Sequence, residues 1–182
     1  GPGTCAPGYT CVRPDADAQT GHCLKSCNRG NPAINILGAG ETNISYLTVS
    51  GNGTGIKTSN TQEATVNLEH LLVRDTLVTG VQLSSGTDTT INISESAIRR
   101  NRRSTEIDVQ ASALAIYRGS VNLNQVFIGD SWDTAVESAM NDGIINLENL
   151  VVNNIIVGQE GSYMGSVSFF STGPAHINRV HI

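Results

Sequence analysis

The chain has 182 residues, of which 15% are charged and 4% are aromatic, and its formal net charge at pH 7 is −5. Low charge together with many Ile, Val and Leu residues excludes a disordered chain, and the small share of Ala, Glu and Lys excludes a helical domain. The acidic balance argues against a general binder of nucleic acid, and no apolar run is long enough to insert into a membrane. The composition predicts an all-β protein with many short strands and polar turns.

Cysteine is confined to the amino-terminal segment, at Cys5, Cys11, Cys23 and Cys27. The segment is too short to bury a core, so it needs cross-links. Its C-x5-C-x11-C-x3-C spacing lacks the C-x2-C pairs of zinc ribbons, which favours two disulfides, of any of three connectivities, over a metal site. Disulfides predict an oxidising compartment and hence a secreted or cell-surface protein, extracellular or periplasmic. No metal or other cofactor is expected.

The stretch from Cys5 to Cys11 resembles the Gly-aromatic turn of EGF-like, cysteine-rich modules. We therefore divide the chain into a disulfide-stapled segment, residues 1–31, and a repeat region, residues 32–182. Gly1-Pro2 resembles the remnant of a protease-cleavage site.

The repeat region is built from segments that begin with Asn followed by an aliphatic residue. Their starts lie 24, 25, 30, 24 and 30 residues apart, and the last has His in place of Asn. Aliphatic residues recur one before, one after and six after each start, which predicts two short strands separated by a bend. The starts are Asn43, Asn67, Asn92, Asn122, Asn146 and His176.

A third strand follows in each repeat, with the pattern Thr-x-Ile/Val. We predict it at residues 54–56, 79–81, 105–107 and 134–136. Three short strands in a period of about 24 residues are typical of a solenoid.

This pattern (aliphatic-x-aliphatic, bend, aliphatic, Gly/Asn turn, G-[IV]-x-[LV]) resembles right-handed parallel β-helix proteins of the pectin-lyase-like superfamily. The resemblance covers residues 32–182 and implies about six coils, in which each strand pairs with its equivalent about 4.8 Å away. It is specific for fold and not for function, because the superfamily includes polysaccharide lyases, hydrolases, tailspikes, adhesins and structural modules. The lyase constellation of calcium-binding Asp residues and an Arg base does not map onto this sequence.

The chain stops at Ile182 in the middle of a repeat, without a polar cap. An open end of stacked strands invites pairing. We therefore expect either truncation from a longer polypeptide, with further coils, or a homo-oligomer that covers this end.

Two rows of polar residues are candidate sites. The five Asn starts are expected to point outward as a hydrogen-bonded ladder, which either stabilises the stack or binds sugar hydroxyls. Eight residues after the starts, a turn row places Arg100 between Asp75 and Asp130. That row predicts an ion ladder, or the acid and base of a sugar-active enzyme, with the two aspartates about 10 Å apart. In the enzyme hypothesis Asp133 supplies a third carboxylate and Trp132 a stacking platform.

A basic run and two insertions complete the candidates. The run contains Arg99, Arg100, Arg102 and Arg103, which either grip an acidic polysaccharide or a partner's acidic patch, or form a solvated turn. The insertions, residues 112–117 and 159–164, are expected to protrude and present Tyr117 and Tyr163 for binding, or merely to pad a corner.

The function that these observations favour is a non-catalytic, secreted or cell-surface module for adhesion or recognition, with carbohydrate as the expected ligand. The alternative is a polysaccharide lyase or glycoside hydrolase that uses Asp75, Arg100, Asp130 and Asp133. A third hypothesis is a structural spacer in a fibre or spike. Nucleic-acid binding and membrane insertion are not expected.

Overall fold

A computed structural model describes residues 9–12, 22–25, 27–59, 62–102, 111–139, 142–156, 167–170 and 173–182. Within these ranges the chain forms strands and no helix, so no helix there is long and apolar enough to cross a membrane. The strands are β1 (Tyr9–Val12), β2 (His22–Lys25), β3 (Cys27–Ile36), β4 (Gly40–Ser45), β5 (Thr48–Ser50), β6 (Asn52–Thr58), β7 (Ala64–Glu69), β8 (Leu72–Arg74), β9 (Thr79–Ser84), β10 (Thr89–Arg99), β11 (Ser112–Arg118), β12 (Ser120–Trp132), β13 (Thr134–Ala139), β14 (Ile145–Ile156), β15 (Val167–Phe170) and β16 (Ala175–His181).

The strands form two parallel sheets and one small antiparallel pair. A larger sheet has the order β16-β14-β12-β10-β7-β4, with β5 and β8 pairing beside this path, and a smaller sheet has the order β15-β13-β11-β9-β6-β3. The chain thus visits the two sheets in turn, and each strand pairs with its equivalent in the next repeat. The prediction of an all-β protein is confirmed, and the parallel arrangement is compatible with a β-helix.

The register of the larger sheet follows the sequence repeat. All six starts, from Asn43 to His176, are aligned as direct partners. Because side chains alternate between the two faces of a strand, the residue after each start points inward. In the middle of the stack that residue is buried, as at Leu68, Ile93, Leu123 and Leu147.

Two bends per repeat are made by residues with positive φ. The first bend lies three residues after the start, with φ between 46° and 56°, at Tyr46, His70, Glu95, Gln125, Asn149 and Arg179. The second lies eight after the start, at Gly51, Asp75, Arg100, Asp130 and Asn154. A left-handed conformation costs a non-Gly residue about 1–2 kcal/mol, so the paired strands on either side must hold it in place.

In the third repeat the strand of the smaller sheet lies later in the chain than the predicted residues 105–107. Leu114 pairs with Val81 and Val136 in the smaller sheet, the position that the prediction assigned to Ile107. In the smaller sheet a small, buried residue precedes each of the paired aliphatic residues Ile56, Val81, Leu114 and Val136. These small residues form a row that comprises Gly55, Gly80, Ala113 and Ala135. Glu106 would have to occupy this row in the predicted register, and a buried unpaired carboxylate is strongly unfavourable.

The insertion therefore precedes the third strand rather than following it. Residues 112–117 are the central part of β11 and not a protruding loop, and Ser112 to Ile116 are buried. The predicted strand at residues 105–107 lies outside the described residues, as does the second insertion, 159–164.

The last repeat leaves its inward-facing row open. Ile177 in β16 is 56% exposed, whereas its partner Leu147 in β14 is 1% exposed. In the described part of the chain, β16 pairs on one side only.

The amino-terminal segment is described only in part. The backbones of Cys11 and Cys23 are direct partners in the antiparallel pair β1-β2. The cysteine side chains and Cys5 lie outside the described residues, so the two disulfides and the division at residue 31 stay predictions.

Candidate functional site

The outer surface at the second bend collects charged side chains from three successive repeats. The residue seven after each start points outward, and the residue eight after the start forms the bend. Arg74 and Asp75 therefore lie next to Arg99 and Arg100 of the following repeat. We call this group the arginine surface. It comprises Arg74, Asp75, Arg99, Arg100, Arg102 and Asp130, four cations and two anions in a chain whose net charge is −5.

Arg100 and Asp75 form the most specific contact of the arginine surface. Arg100 donates from Nε to Asp75 Oδ1 at 2.7 Å and from Nη2 to Asp75 Oδ2 at 2.8 Å. This hydrogen-bonded pair holds the pKa of Asp75 below its usual value, and the charges of Arg74 and Arg102 act in the same direction. The same contact raises the pKa of Arg100. A two-pronged pair fixes the orientation of the guanidinium as well as its position.

Asp130 plays the corresponding part for Arg99. It accepts hydrogen bonds from Asn154 Nδ2 at 3.0 Å and from Arg99 Nη2 at 2.8 Å. These contacts, that of Asn154 first, lower the pKa of Asp130. The guanidinium of Arg99 also lies 5.4 Å from the ring centroid of Phe127, within the range of a cation–π contact. Asp130 is therefore an ionised carboxylate at neutral pH, engaged by an amide and a cation.

A buried amide anchors the backbone between Arg100 and Arg102. Asn101 is fully buried, accepts a hydrogen bond from Thr76 Oγ1 at 2.6 Å and donates to the carbonyl of Val78 at 3.3 Å. Because this side chain points inward and is satisfied, its two neighbours are directed to the outside.

The third predicted carboxylate does not join the arginine surface. Asp133 is fully buried, and its Oδ2 accepts a hydrogen bond from the backbone N–H of Ala111 at 3.1 Å, while its Oδ1 has no partner. Trp132, beside it in sequence, is half-buried and pairs with Ile156 across the strands. A substrate outside the molecule would reach Asp75 or Asp130 but not Asp133.

Of three further predicted binding residues, the structure describes only Tyr117, and it does not lie in a protruding loop. Tyr117 belongs to β11 and is half-buried, and burial followed by the charge of Glu137 raises its pKa. Arg103 and Tyr163 lie outside the described residues.

The predicted asparagine ladder is confirmed. Each Asn donates from Nδ2 to Oδ1 of the preceding Asn, at 2.7, 2.7, 2.7 and 2.6 Å from Asn67 to Asn146. At the amino-terminal end Asn43 donates to Glu41 Oε1 at 3.2 Å, and Asn67 also reaches this atom, at 3.3 Å. The amides thus satisfy one another along the stack, which favours a structural role.

A histidine cluster at the first bend escaped the sequence analysis. The ring of His70 stacks on Tyr46, with centroids 4.6 Å apart and planes at 21°. Its Nδ1 lies 3.4 Å from Glu95 and its Nε2 lies 3.8 Å from Glu69. One ligand atom from each of Glu69, His70 and Glu95 lies within 4.8 Å of the other two, so the three groups are close enough together to hold a metal ion.

Two members of the arginine surface and its surroundings were also missed. Arg74 lies outside the basic run in sequence, although Arg99 is its direct partner in the larger sheet. Phe127 lies five residues after Asn122, an outward position. The repeat register carried this signal, because positions five and seven after each start share the outer face.

Comparison with protein-family models, with curated proteins and with solved structures finds no match for the chain. The class of protein that the fold defines is thus an all-β protein with parallel sheets, compatible with a β-helix.

Proposed function

We propose that the chain is a non-catalytic recognition module of a secreted or cell-surface protein and that it binds an anionic polysaccharide at the arginine surface. In this proposal residues 32–182 form a right-handed, pectin-lyase-like β-helix of about six coils behind a disulfide-stapled segment. The strict alternation of strands between two parallel sheets supports the coiled path.

The observation that carries the proposed function is the positioning of Arg99 and Arg100. Each guanidinium is half-exposed and is held by a carboxylate, Asp130 and Asp75 respectively. The carboxylates engage only part of the five N–H donors of each guanidinium, and the remaining donors are available to a ligand. Fixed, planar donors are suited to carboxylate or sulfate groups, and little side-chain entropy is lost when they bind.

Electrostatics supports recognition over the alternative of a polysaccharide lyase or glycoside hydrolase. A glycosidase needs one carboxylic acid that stays protonated, so its pKa must be raised. The pKa values of Asp75 and Asp130 are instead lowered. A lyase of the Arg-base type needs a guanidinium that gives up its proton more easily, whereas Asp75 raises the pKa of Arg100.

Binding and degradation measured on one set of polymers test the proposal. The chain is titrated against a polyuronate (alginate), a sulfated polymer (heparin) and neutral dextran, and the length of each polymer is measured after incubation. We expect binding to one or both acidic polymers without shortening. Shortening of a polymer that Asp130→Asn abolishes would establish the enzyme alternative. Binding to none of the three polymers would favour the structural spacer, a role that the asparagine ladder supports.

The two proposed disulfides are tested by mass spectrometry. Intact-mass measurement with and without reductant should show four fewer hydrogens in the oxidised chain, as two disulfides require. Four free thiols after expression in an oxidising compartment would contradict the stapled segment.

A further inference from the structure

Phe127 lies in an unusual position on the outer face of the larger sheet. It belongs to the row five residues after each start, where Ala97 and Val151 are its direct partners. A Cβ built on Gly129 would lie 2.6 Å from both Cε1 and Cζ of the ring. The ring therefore leans along the strand and covers Gly129, in the space that a side chain at 129 would occupy.

The glycine interrupts a row of polar side chains. The equivalents of Gly129 in neighbouring repeats are Arg99 on one side and Asn153 on the other. Any residue other than Gly at 129 would displace the ring of Phe127, since contacts of 2.6 Å do not occur between non-bonded carbon atoms. The pair Phe127–Gly129 thus places one aromatic ring low on the surface, where it stays half-buried.

The ring adjoins one cation of the arginine surface. Arg99 contacts the ring of Phe127 through its guanidinium, 5.4 Å from the centroid, and Asp130 through a 2.8 Å hydrogen bond. The guanidinium of Arg99 therefore lies over the ring of Phe127, and a sugar would stack on the part of the ring that Arg99 leaves uncovered. A sugar ring has an apolar C–H face and polar edges, so a uronate or a sulfated sugar would satisfy both groups at once.

We infer that Phe127 is the stacking platform for one sugar ring of the anionic polysaccharide and that Arg99 binds the acidic group of the same sugar. This inference rests on the proposed function and adds to it a residue that sets specificity for sugars over other polyanions. Charge alone does not distinguish an acidic polysaccharide from other polyanions, whereas a ring that stacks on sugars does. A flexible polyanion without sugar rings uses Arg99 only, whereas an acidic polysaccharide uses Arg99 and Phe127.

The test compares acidic oligosaccharides of defined length with polyphosphate as a polyanion that has no sugar ring. We expect Phe127→Leu to weaken oligosaccharide binding about 3- to 10-fold, as the loss of an aromatic contact does, and to leave polyphosphate binding unchanged. Gly129→Ala should act in the same direction, and Phe127→Tyr should retain affinity. Tyr46→Leu, which removes an 81%-exposed ring at the other bend, is the control and should bind like the wild type.

The outcomes separate the two proposals. If the wild type binds oligosaccharide, Arg99→Ala loses binding and Phe127→Leu binds like the wild type, the platform is wrong and the proposed function stands. If the wild type binds no acidic oligosaccharide, both are wrong. Thermal melting of Phe127→Leu and Gly129→Ala shows whether each variant is folded, and Phe127→Tyr gives a second readout if one of them is not.

Discussion

Arg100 and Asp75 lie 25 residues apart in sequence, and two hydrogen bonds of 2.7 and 2.8 Å join them between neighbouring repeats. Because the contact lowers the pKa of Asp75, the folded state binds the proton of this carboxyl more weakly than the unfolded state does. The pair therefore stabilises the fold above the unfolded pKa, about 3.9, and the stabilisation is lost as the pH falls through the lower folded value.

The first prediction concerns this pH dependence. Asp75→Asn should lower the free energy of unfolding at pH 7 by no more than about 1 kcal/mol, since both side chains are partly exposed. The difference from the wild type should persist at pH 5 and shrink as the pH falls below 4. Urea denaturation at several pH values measures it. A difference that widens on acidification would show that Asp75 is not stabilised as an anion.

The second prediction concerns the asparagine ladder. Asn92 donates to Asn67 and accepts from Asn122, both at 2.7 Å. Asn92→Asp keeps the shape but places an anionic oxygen without a proton against Asn67 Oδ1, so we expect a loss of about 1–3 kcal/mol at pH 7. Because this contact disfavours the anion, the folded pKa lies above the unfolded value of about 3.9, and the loss should diminish as the pH falls toward 4. Asn153→Asp, on the exposed outer face, is the control and should change stability little. Equal losses in both variants would contradict the ladder.

The third prediction concerns the small-residue row between the sheets. A Cβ on Gly80 would lie 2.5 Å from the carbonyl oxygen of Ala113 and 2.6 Å from Cγ2 of Ile98. We expect Gly80→Ala to destabilise the protein by about 1–3 kcal/mol through overpacking. Ala113→Gly, which removes a methyl from the same row, should cost about 1 kcal/mol or less. Thermal and urea unfolding compare them, and a stabilised Gly80→Ala would refute the close approach.

The fourth prediction concerns the open row of β16 and the proposed partner at this end. If a second copy pairs with β16, the mass in solution should rise with concentration, and Ile177→Lys should abolish the rise because it places a charge in the contact. Asn178→Lys is the control. It adds the same charge at the neighbouring position, which faces the other side of the strand, and should leave the rise in mass unchanged. Light scattering measures the mass. A monomer at every concentration would contradict self-association through β16.

The sequence repeat predicted most of the architecture because each of its columns has one physical task. The inward aliphatic column, the outward Asn column and the turn column at Asp75, Arg100 and Asp130 all lie where the alignment placed them. The small sheet was harder. Thr105-Glu106-Ile107 matches the two defined positions of the pattern Thr-x-Ile/Val. Only the middle position argues against it, because that position is buried and is occupied by Ala113 in β11.

The candidate site was predictable in its backbone and not in its contacts. Register alone places Arg100 between Asp75 and Asp130, but side-chain geometry decides that Arg100 pairs with the first and Arg99 with the second. The burial of Asp133 goes with a hydrogen bond from the backbone N–H of Ala111, the residue just before β11, and the alignment did not place this segment beside Asp133. The role of Phe127 depends on the absence of a side chain at Gly129, which a column of residue types does not reveal.

The most direct test of the account is the affinity of the chain for an acidic oligosaccharide, measured by isothermal titration on the wild type, on an Arg99→Ala/Arg100→Ala variant and on Arg118→Ala. Arg118→Ala is the control, because it removes an exposed arginine at the end of β11, outside the arginine surface. We predict saturable binding by the wild type and by Arg118→Ala, and at least a tenfold loss in the double variant. Equal affinity in all three proteins, or no binding by any, would contradict the arginine surface as the recognition site.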